Sequence, residues 1–377
     1  MMESLQHESS VGEAQRVMNI CNACRYCEGV CAVFPAMSLV RAFSEHQMHY
    51  LANLCHNCTA CYHNCQYAPP HPFAVNVPSA LTELRTETYE AYAWPGFLGR
   101  LFRRNGLFVS LATALALSIV LALASLLVDP GVMFAEHSGP GSFYAVISHG
   151  VMVAVAGSTF GFSLLALSVG VRNFWRGTGA FSRARPMLSA FCGALKDMAT
   201  LEYLGGGHKE GCSPRDEGHS NQRRYLHQAA MWGFLLCFAS TCVAAFYDYV
   251  LGRVAPYPFL SLPVLLGTIG GIGLLVGPAG LFWLKLRSDK RAMPVRHYGM
   301  DYAFLALLFV ISLTGFLLLA LRATAAMGLT LAVHLGFVLA LFLTLPYSKF
   351  VHAFYRFAAL LRFNAEKPER SRPATVA

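Results

Sequence analysis

The sequence predicts a mainly α-helical fold, in which a polar N-terminal domain precedes a bundle of six transmembrane helices. Two observations lead to this fold class. The 377 residues are 55% hydrophobic and only 13% charged, whereas a soluble domain is about 25% charged. The polar residues are also unevenly spread, because residues 1–100 are rich in cysteine, histidine and acidic groups, while apolar runs dominate from Leu107 onward.

Six apolar segments in the second part reach or approach the roughly 20 residues that a helix needs to cross a bilayer. They are residues 107–128, 143–169, 227–250, 260–284, 302–321 and 328–347. We therefore expect a cytoplasmic domain over 1–100, a transmembrane domain over 101–360 and a polar, disordered tail over 361–377.

The distribution of lysine and arginine predicts the orientation. Segments 170–226 and 285–301 contain nine and five basic residues, whereas the three loops on the other side contain none, one and one. Basic loops stay in the cytoplasm, so the N-terminal domain and the C-terminus are both expected there, in a bacterial inner membrane. Since the net charge of +9 arises beside apolar segments rather than in one basic stripe, we expect no nucleic-acid partner. The middle of loop 170–226 is either an amphipathic helix that ends near Tyr203 or a soluble linker.

Two cysteine runs form an internal repeat in the N-terminal domain. "CNACRYCEGVC" and "CHNCTACYHNC" share the spacing C-x2-C-x2-C-x3-C, and each cysteine of the second run lies 34 residues after its counterpart. This spacing is typical of paired [4Fe–4S] clusters, in which the fourth cysteine of each run ligates the other cluster. The first cluster is then assigned to Cys21, Cys24, Cys27 and Cys65. The second cluster is assigned to Cys55, Cys58, Cys61 and Cys31.

Zinc and disulfides are the alternatives for these cysteines. Structural zinc usually takes pairs of C-x2-C separated by a longer spacer, and a third cysteine at the same interval fits that pattern poorly. No secretory signal opens the chain, and cytoplasmic thiols stay reduced, which argues against a disulfide framework. The domain is therefore predicted to be a ferredoxin-like helical domain with two clusters.

Four histidines in the membrane part form two pairs by depth. His149 and His334 lie near the outer ends of their helices, and His227 and His352 lie near the inner ends. Histidine within a membrane is costly and usually functional, so each pair is predicted to ligate a b-type haem. The simpler alternative is that these side chains cap helices or form interfacial hydrogen bonds.

The last helix carries two of these histidines, 18 residues apart. Five helical turns would place them on one face, about 27 Å apart, if the helix continues past Pro346. His297 is a rival for His227 as an inner ligand, and Arg223 and Arg224 are candidates to pair with haem propionates. Two acids at helix ends, Asp248 and Asp301, are either proton carriers for a quinone or interfacial residues without chemistry.

Several stretches together resemble the CitB/TcuB family of tricarballylate-utilisation proteins over about residues 15–360. They are "ICNACRYCEGVCAVFPAM", "CHNCTACYHNCQYAPPHPFAVNVP", "YLGGGHKEGCSPRDE" and "LPYSKFVHAFYR". The resemblance implies a membrane iron–sulfur protein that reoxidises the FAD of a tricarballylate dehydrogenase and reduces the quinone pool. The eight cysteines match the family's cluster motifs. The membrane part is also similar to the haem-binding γ subunit of nitrate reductase, in which a histidine pair corresponds to His334 and His352.

The sequence therefore predicts an electron-transfer subunit whose substrate chemistry belongs to a flavoprotein partner. Electrons would pass from the flavin through two [4Fe–4S] clusters and one or two b haems to a quinone. Two redox alternatives are a quinol-oxidising subunit similar to those of heterodisulfide reductase and a subunit that serves a flavoprotein of cobalamin biosynthesis. An alternative of another class is a non-redox membrane anchor or transporter whose cysteines bind zinc.

Overall fold

The computed structural model describes residues 9–179, 185–206, 211, 218–293 and 297–367. Within these residues the regular elements are helices, and no β-strand is formed. The N-terminal part contains five helices, which confirms the predicted helical domain. They are α1 (Ser10–Cys24), α2 (Val33–Leu39), α3 (Glu45–Leu54), α4 (Ala60–His63) and α5 (Val77–Tyr92).

Six helical segments of the described residues are long and apolar enough to cross a membrane, as predicted. Their α-helical parts are α6 (Asn105–Leu127), α9 (His149–Gly177), α11 (Gln222–Tyr249), α12 (Leu262–Leu286), α13 (Tyr298–Leu321) and α14 (Met327–Thr344). The shorter helices are α7 (Pro130–Met133), α8 (Ser142–Val146), α10 (Met187–Thr200) and α15 (Val351–Glu366). By the length and composition of its helices, the chain is a multi-pass membrane protein.

The last membrane segment is broken near Pro346, so the continuous helix that would place His334 and His352 on one face is not formed. Helix α14 ends at Thr344, a 3-10 turn follows over Leu345–Tyr347, and α15 begins at Val351. Ser348 has extended backbone angles, with φ −128° and ψ −176°. Proline lacks an N–H donor and clashes with the preceding turn, which accounts for the break. The two histidines therefore lie on different helices rather than on one face.

The region after residue 360 also differs from the prediction. Helix α15 continues to Glu366, and Phe363 and Ala365 on it are fully buried. The predicted disordered tail is therefore helical over its first six residues, because these side chains pack against other helices. Residues 368–377 lie outside the described residues. Loop 170–226 contains the helix α10, which ends at Leu201 in a left-handed conformation with φ 49°.

The N-terminal domain and the membrane helices share a single hydrophobic core. Tyr89 on α5 stacks against Tyr355 on α15, with ring centroids 5.4 Å apart, and Tyr355 contacts Phe174 on α9 at 5.1 Å. Arg362 on α15 lies over the ring of Tyr50 on α3 at 4.1 Å. This shared core fixes the cysteine-rich domain against one end of the bundle.

Helices α11 and α12 pack closely through glycines. A Cβ atom on Gly233 would lie 2.7 Å from the carbonyl oxygen of Gly270 and 2.9 Å from the backbone nitrogen of Leu274. Small residues allow this close approach of membrane helices. Because the opposing atoms belong to the backbone, they cannot move without shifting a helix.

We expect Gly233→Ala to destabilise the bundle by about 1–3 kcal/mol, the usual cost of overpacking. Gly157→Ala on α9 is the matched control, since a Cβ atom there meets nothing within 4 Å. Thermal unfolding in detergent should show a lower melting temperature for Gly233→Ala and an unchanged or higher one for Gly157→Ala. Equal melting temperatures for the two variants would contradict the close α11–α12 packing.

Candidate functional site

The first cysteine run lies at the end of α1 and in the turn that follows. Cys21 and Cys24 occupy the last turn of α1, which ends at Arg25 in a left-handed conformation with φ 56°. Cys27 and Cys31 follow in the loop before α2. In the structure the first two are helical, while the fourth precedes a helix.

The second run lies between α3 and α5. Cys55 caps the C-terminal end of α3, Cys61 lies on the short helix α4, and Cys65 follows that helix. Asn57 and Thr59, on either side of Cys58, have positive φ values of 53° and 61°. Non-glycine residues rarely adopt this conformation, which is concentrated at functional sites. The chain here bends tightly enough to turn the cysteines of one loop toward a common centre.

Two neighbouring pockets collect the eight cysteines in crossed sets. The first pocket is lined by Cys21, Cys24, Cys27 and Cys65 together with Cys61. The second pocket is lined by Cys31, Cys55, Cys58 and Cys61. The fourth cysteine of each run thus lies in the pocket of the other run, and Cys61 borders both.

The thiol pKa values show the same grouping. The pKa of Cys21 is raised to about 12, mainly by burial and then by the neighbouring charges of Cys27, Cys65 and Cys24. The pKa of Cys61 also lies well above its usual value, mainly because of burial and then because of the charges of Cys58 and Cys31. Thiolates packed this closely repel one another, so a bound cation or cationic cluster must stabilise them in the deprotonated form. The donor set in each pocket fits a four-thiolate iron–sulfur cluster.

The exposure of the two pockets differs. Cys55, Cys58 and Cys61 are 6%, 6% and 8% exposed, so they are buried. The thiols of the first pocket are partly exposed, and its rim includes Tyr26, which is 75% exposed. The first pocket therefore opens to solvent, whereas three thiols of the second are buried and only Cys31 is partly exposed.

Arginines from three different helices contact the loop that lines the second pocket. Arg85 on α5 and Arg356 on α15 both donate to the carbonyl oxygen of Cys55, at 2.6 and 2.7 Å. Arg223 on α11 donates to the carbonyl oxygens of the next two residues, His56 at 3.2 Å and Asn57. Sequence reasoning missed Arg85 and Arg356, because nothing in the local pattern distinguishes a buried arginine in a helix from one on the surface.

The predicted inner histidine pair lies close together beside this pocket. The ring centroids of His227 and His352 are 6.0 Å apart, with an interplanar angle of 80°. Two imidazoles on opposite sides of one metal ion have ring centres about 6 Å apart, since a metal–nitrogen bond is about 2 Å long. Nδ1 of His352 donates to the carbonyl oxygen of Lys349, which directs Nε2 outward as metal-binding histidines require. This pair fits a bis-histidine haem site.

Among the described residues, no ring contact joins the predicted outer pair. Nε2 of His149 lies 3.0 Å from Asp248, and its ring packs against Tyr144 and Tyr249. His334 instead contacts α13, where its Nδ1 lies 3.1 Å from the hydroxyl oxygen of Thr314. An outer haem between His149 and His334 stays a prediction without a contact to support it.

Three further residues that the sequence analysis considered for the haem or for proton transfer have partners of their own. Nε2 of His297 lies 3.0 Å from Glu83, and its Nδ1 lies 3.2 Å from Thr86. Both ring nitrogens of His297, which immediately precedes α13, thus contact residues of α5. His297 therefore does not replace His227 as the partner of His352. Arg224 donates to the carbonyl oxygen of Thr200 at 2.8 Å, away from the histidine pair. Asp301, one of the two candidate proton carriers, is held between Lys285 and Lys349.

Among the described residues, no group of three or more His, Cys, Asp or Glu side chains is placed to hold a single metal ion. No disulfide joins the eleven cysteines in this part of the chain. Within that part of the chain, the thiols of the two runs line the two cysteine pockets.

Comparisons with known proteins agree with this arrangement. The model of the citrate utilization protein B family matches residues 100–374. This chain belongs to that family. The model described as the citrate utilization protein B Fer4-like domain matches residues 14–91, which include both cysteine runs. Citrate utilization protein B of Escherichia coli is 49% identical over 370 residues, covering 97% of this chain and 94% of that protein. No solved structure matches the chain.

Membership of the citrate utilization protein B family confirms the resemblance seen in the sequence motifs. A Fer4-like N-terminal domain is typical of iron–sulfur proteins, in agreement with the cysteine-lined pockets. The Gly-rich stretch "YLGGGHKEGCSPRDE" lies largely outside the described residues.

Proposed function

We propose that this chain is a membrane electron-transfer subunit that takes electrons from the reduced FAD of a partner dehydrogenase and passes them to the quinone pool. The observation that carries the proposal is the pair of adjoining cysteine pockets, of which the second is bonded to membrane helices beside His227 and His352. An exposed pocket, a buried pocket and a histidine pair in succession form a route from solvent into the bundle.

The cysteine residues hold two [4Fe–4S] clusters in this proposal. Cys21, Cys24, Cys27 and Cys65 ligate the first, and Cys55, Cys58, Cys61 and Cys31 ligate the second. Such clusters supply one-electron transfer when bound. The protein keeps the first near solvent, where a soluble flavoprotein can approach it, and excludes water from the second.

His227 and His352 hold the inner b-type haem in the proposed route. Both lie at the end of the bundle that contacts the cysteine domain, since Arg223 and Arg356 on the same two helices reach the Cys55 loop. A second haem at His149 and His334 remains part of the sequence prediction, but the proposed transfer from clusters to membrane does not depend on it.

The partner is proposed to be an FAD-dependent dehydrogenase resembling tricarballylate dehydrogenase, and the acceptor a membrane quinone. The family's description and the name of the Escherichia coli relative support a role in the use of citrate or a related tricarboxylate. The flavin and substrate chemistry is assigned to the partner, and this chain to electron transfer. The proposed location is the bacterial inner membrane, with the N-terminal domain and C-terminus in the cytoplasm.

Absorption spectroscopy of the purified protein tests this function. We expect broad iron–sulfur absorbance in the oxidised protein and a b-type α-band after reduction with dithionite. Addition of a quinone analogue to the reduced protein should restore the oxidised spectrum. Protein that contains zinc but neither iron nor haem would overturn the proposal in favour of a non-redox membrane anchor.

A further inference from the structure

The positive charge around the second cysteine pocket is not neutralised by carboxylates. The ion pairs of the described residues include none for Arg85, Arg223 or Arg356. Nε of Arg356 is buried and has no hydrogen-bond partner in the same part of the chain. Burying a cation is costly unless an anion compensates it. Four thiolates around one cluster provide that anion.

The two arginines beside the first cysteine run are exposed or paired. Arg25 lies in its loop but is exposed, and it donates to the carbonyl oxygen of Asn22 at 3.0 Å. Arg16 on α1 is paired with Glu13 at 2.7 Å. Solvent screens an exposed charge, and a paired charge is neutralised by its partner. The two pockets therefore differ both in the exposure of their thiols and in the cations that contact them.

We propose that Arg85, Arg223 and Arg356 raise the reduction potential of the second cluster above that of the first, and so direct electrons toward the membrane helices. The proposal deepens the proposed function and rests on it, since it takes the two clusters as present. One electron leaves the first cluster, which is oxidised, and arrives at the second, which is reduced. No proton is transferred in this step.

The physical reason lies in the charge added on reduction. A reduced cluster carries one more negative charge, so nearby cations and hydrogen bonds stabilise it. Burial acts in the opposite direction, because it disfavours the more highly charged form. Arg85 is buried and Arg223 and Arg356 are partly buried, so solvent screens these guanidinium charges less than it screens exposed ones. The three cations that contact the ligand loop therefore act against the desolvation cost of the single added charge.

Arg356 is the positioning residue that links the second pocket to the helix of an inner histidine. It lies four residues after His352 on α15, about one helical turn, and donates to the carbonyl oxygen of Cys55. A single side chain therefore connects the loop of the second pocket with the helix that carries an inner histidine. Its charge favours the arrival of the electron at the point closest to the membrane site.

The test is a redox titration of Arg356→Gln in the full-length membrane protein, followed by electron paramagnetic resonance. We expect the equilibrium constant for electron transfer from the first to the second cluster to fall at least tenfold, a shift of about 59 mV for a one-electron centre. The first cluster should keep its potential. Arg356→Lys retains the charge and should shift the second potential less than the glutamine variant does.

Arg224→Gln is the matched control, because Arg224 neighbours Arg223 but bonds to Thr200. An unchanged second potential in Arg356→Gln, an equal shift of both clusters, or an equal shift in Arg356→Lys would overturn the proposal. If Arg356→Gln fails to assemble its second cluster, Arg223→Gln provides the same comparison. Absence of clusters from the unaltered protein would instead refute the proposed function itself.

Discussion

Replacing His352 with alanine should abolish the inner b-type haem while both iron–sulfur clusters remain. The ring of His352 lies 6.0 Å from that of His227, and the two rings come from different helices at the end of the bundle that holds the cysteine domain. A bis-histidine haem loses one axial ligand when either ring is removed. The reduced spectrum should therefore lose the inner haem's contribution to the α-band, and His227→Ala should give the same spectrum.

His297→Gln is the control for this prediction. His297 lies at the same end of the bundle but contacts Glu83 and Thr86 through its two ring nitrogens. This variant should keep the haem signal, and the iron–sulfur absorbance of every variant reports whether the cysteine domain is intact. A full α-band in His352→Ala, with the clusters retained, would rule out the inner pair as haem ligands.

Removing the fourth cysteine of one run should abolish the cluster assigned to the other run. Cys31→Ala should give the same residual paramagnetic spectrum as Cys58→Ala, because both thiols line the second pocket. Cys65→Ala should match Cys24→Ala for the same reason in the first pocket. Each variant should lose one of the two clusters, and the iron and sulfide contents should fall accordingly.

The exposed Cys192 on α10 provides the control, since Cys192→Ala lies away from both pockets and should keep two clusters. The opposite grouping would refute the crossed arrangement. In that case Cys31→Ala would resemble Cys24→Ala, and each run would hold a cluster of its own.

The cysteine repeat and the apolar segments could be predicted from the sequence because each is a local pattern. The spacing of the two runs predicts two sets of four thiols, and the two pockets of the fold contain these sets, with Cys61 lining both pockets. The six membrane segments follow from length and hydropathy alone.

Interactions between distant residues were harder to predict. The sequence left open whether the last helix continues past Pro346, and it did not show that α14 would end at Thr344 and a separate helix follow. His149 had the expected depth for a haem ligand, yet its ring is bonded to Asp248 on α11. Depth along a helix can be counted from the sequence, whereas the direction of a side chain depends on how the helices are rotated and packed.

The sequence by itself determined the class of this protein: a helical domain with paired cysteine motifs joined to six membrane helices. Only the tertiary structure showed that three arginines, from α5, α11 and α15, meet at the loop of Cys55. The physical reason is the distance along the chain over which each effect acts. Spacing and hydropathy are properties of one segment, whereas the effect of a buried charge depends on contacting residues, which here are as many as 301 positions away in the chain. Those neighbours place the second pocket against the membrane site.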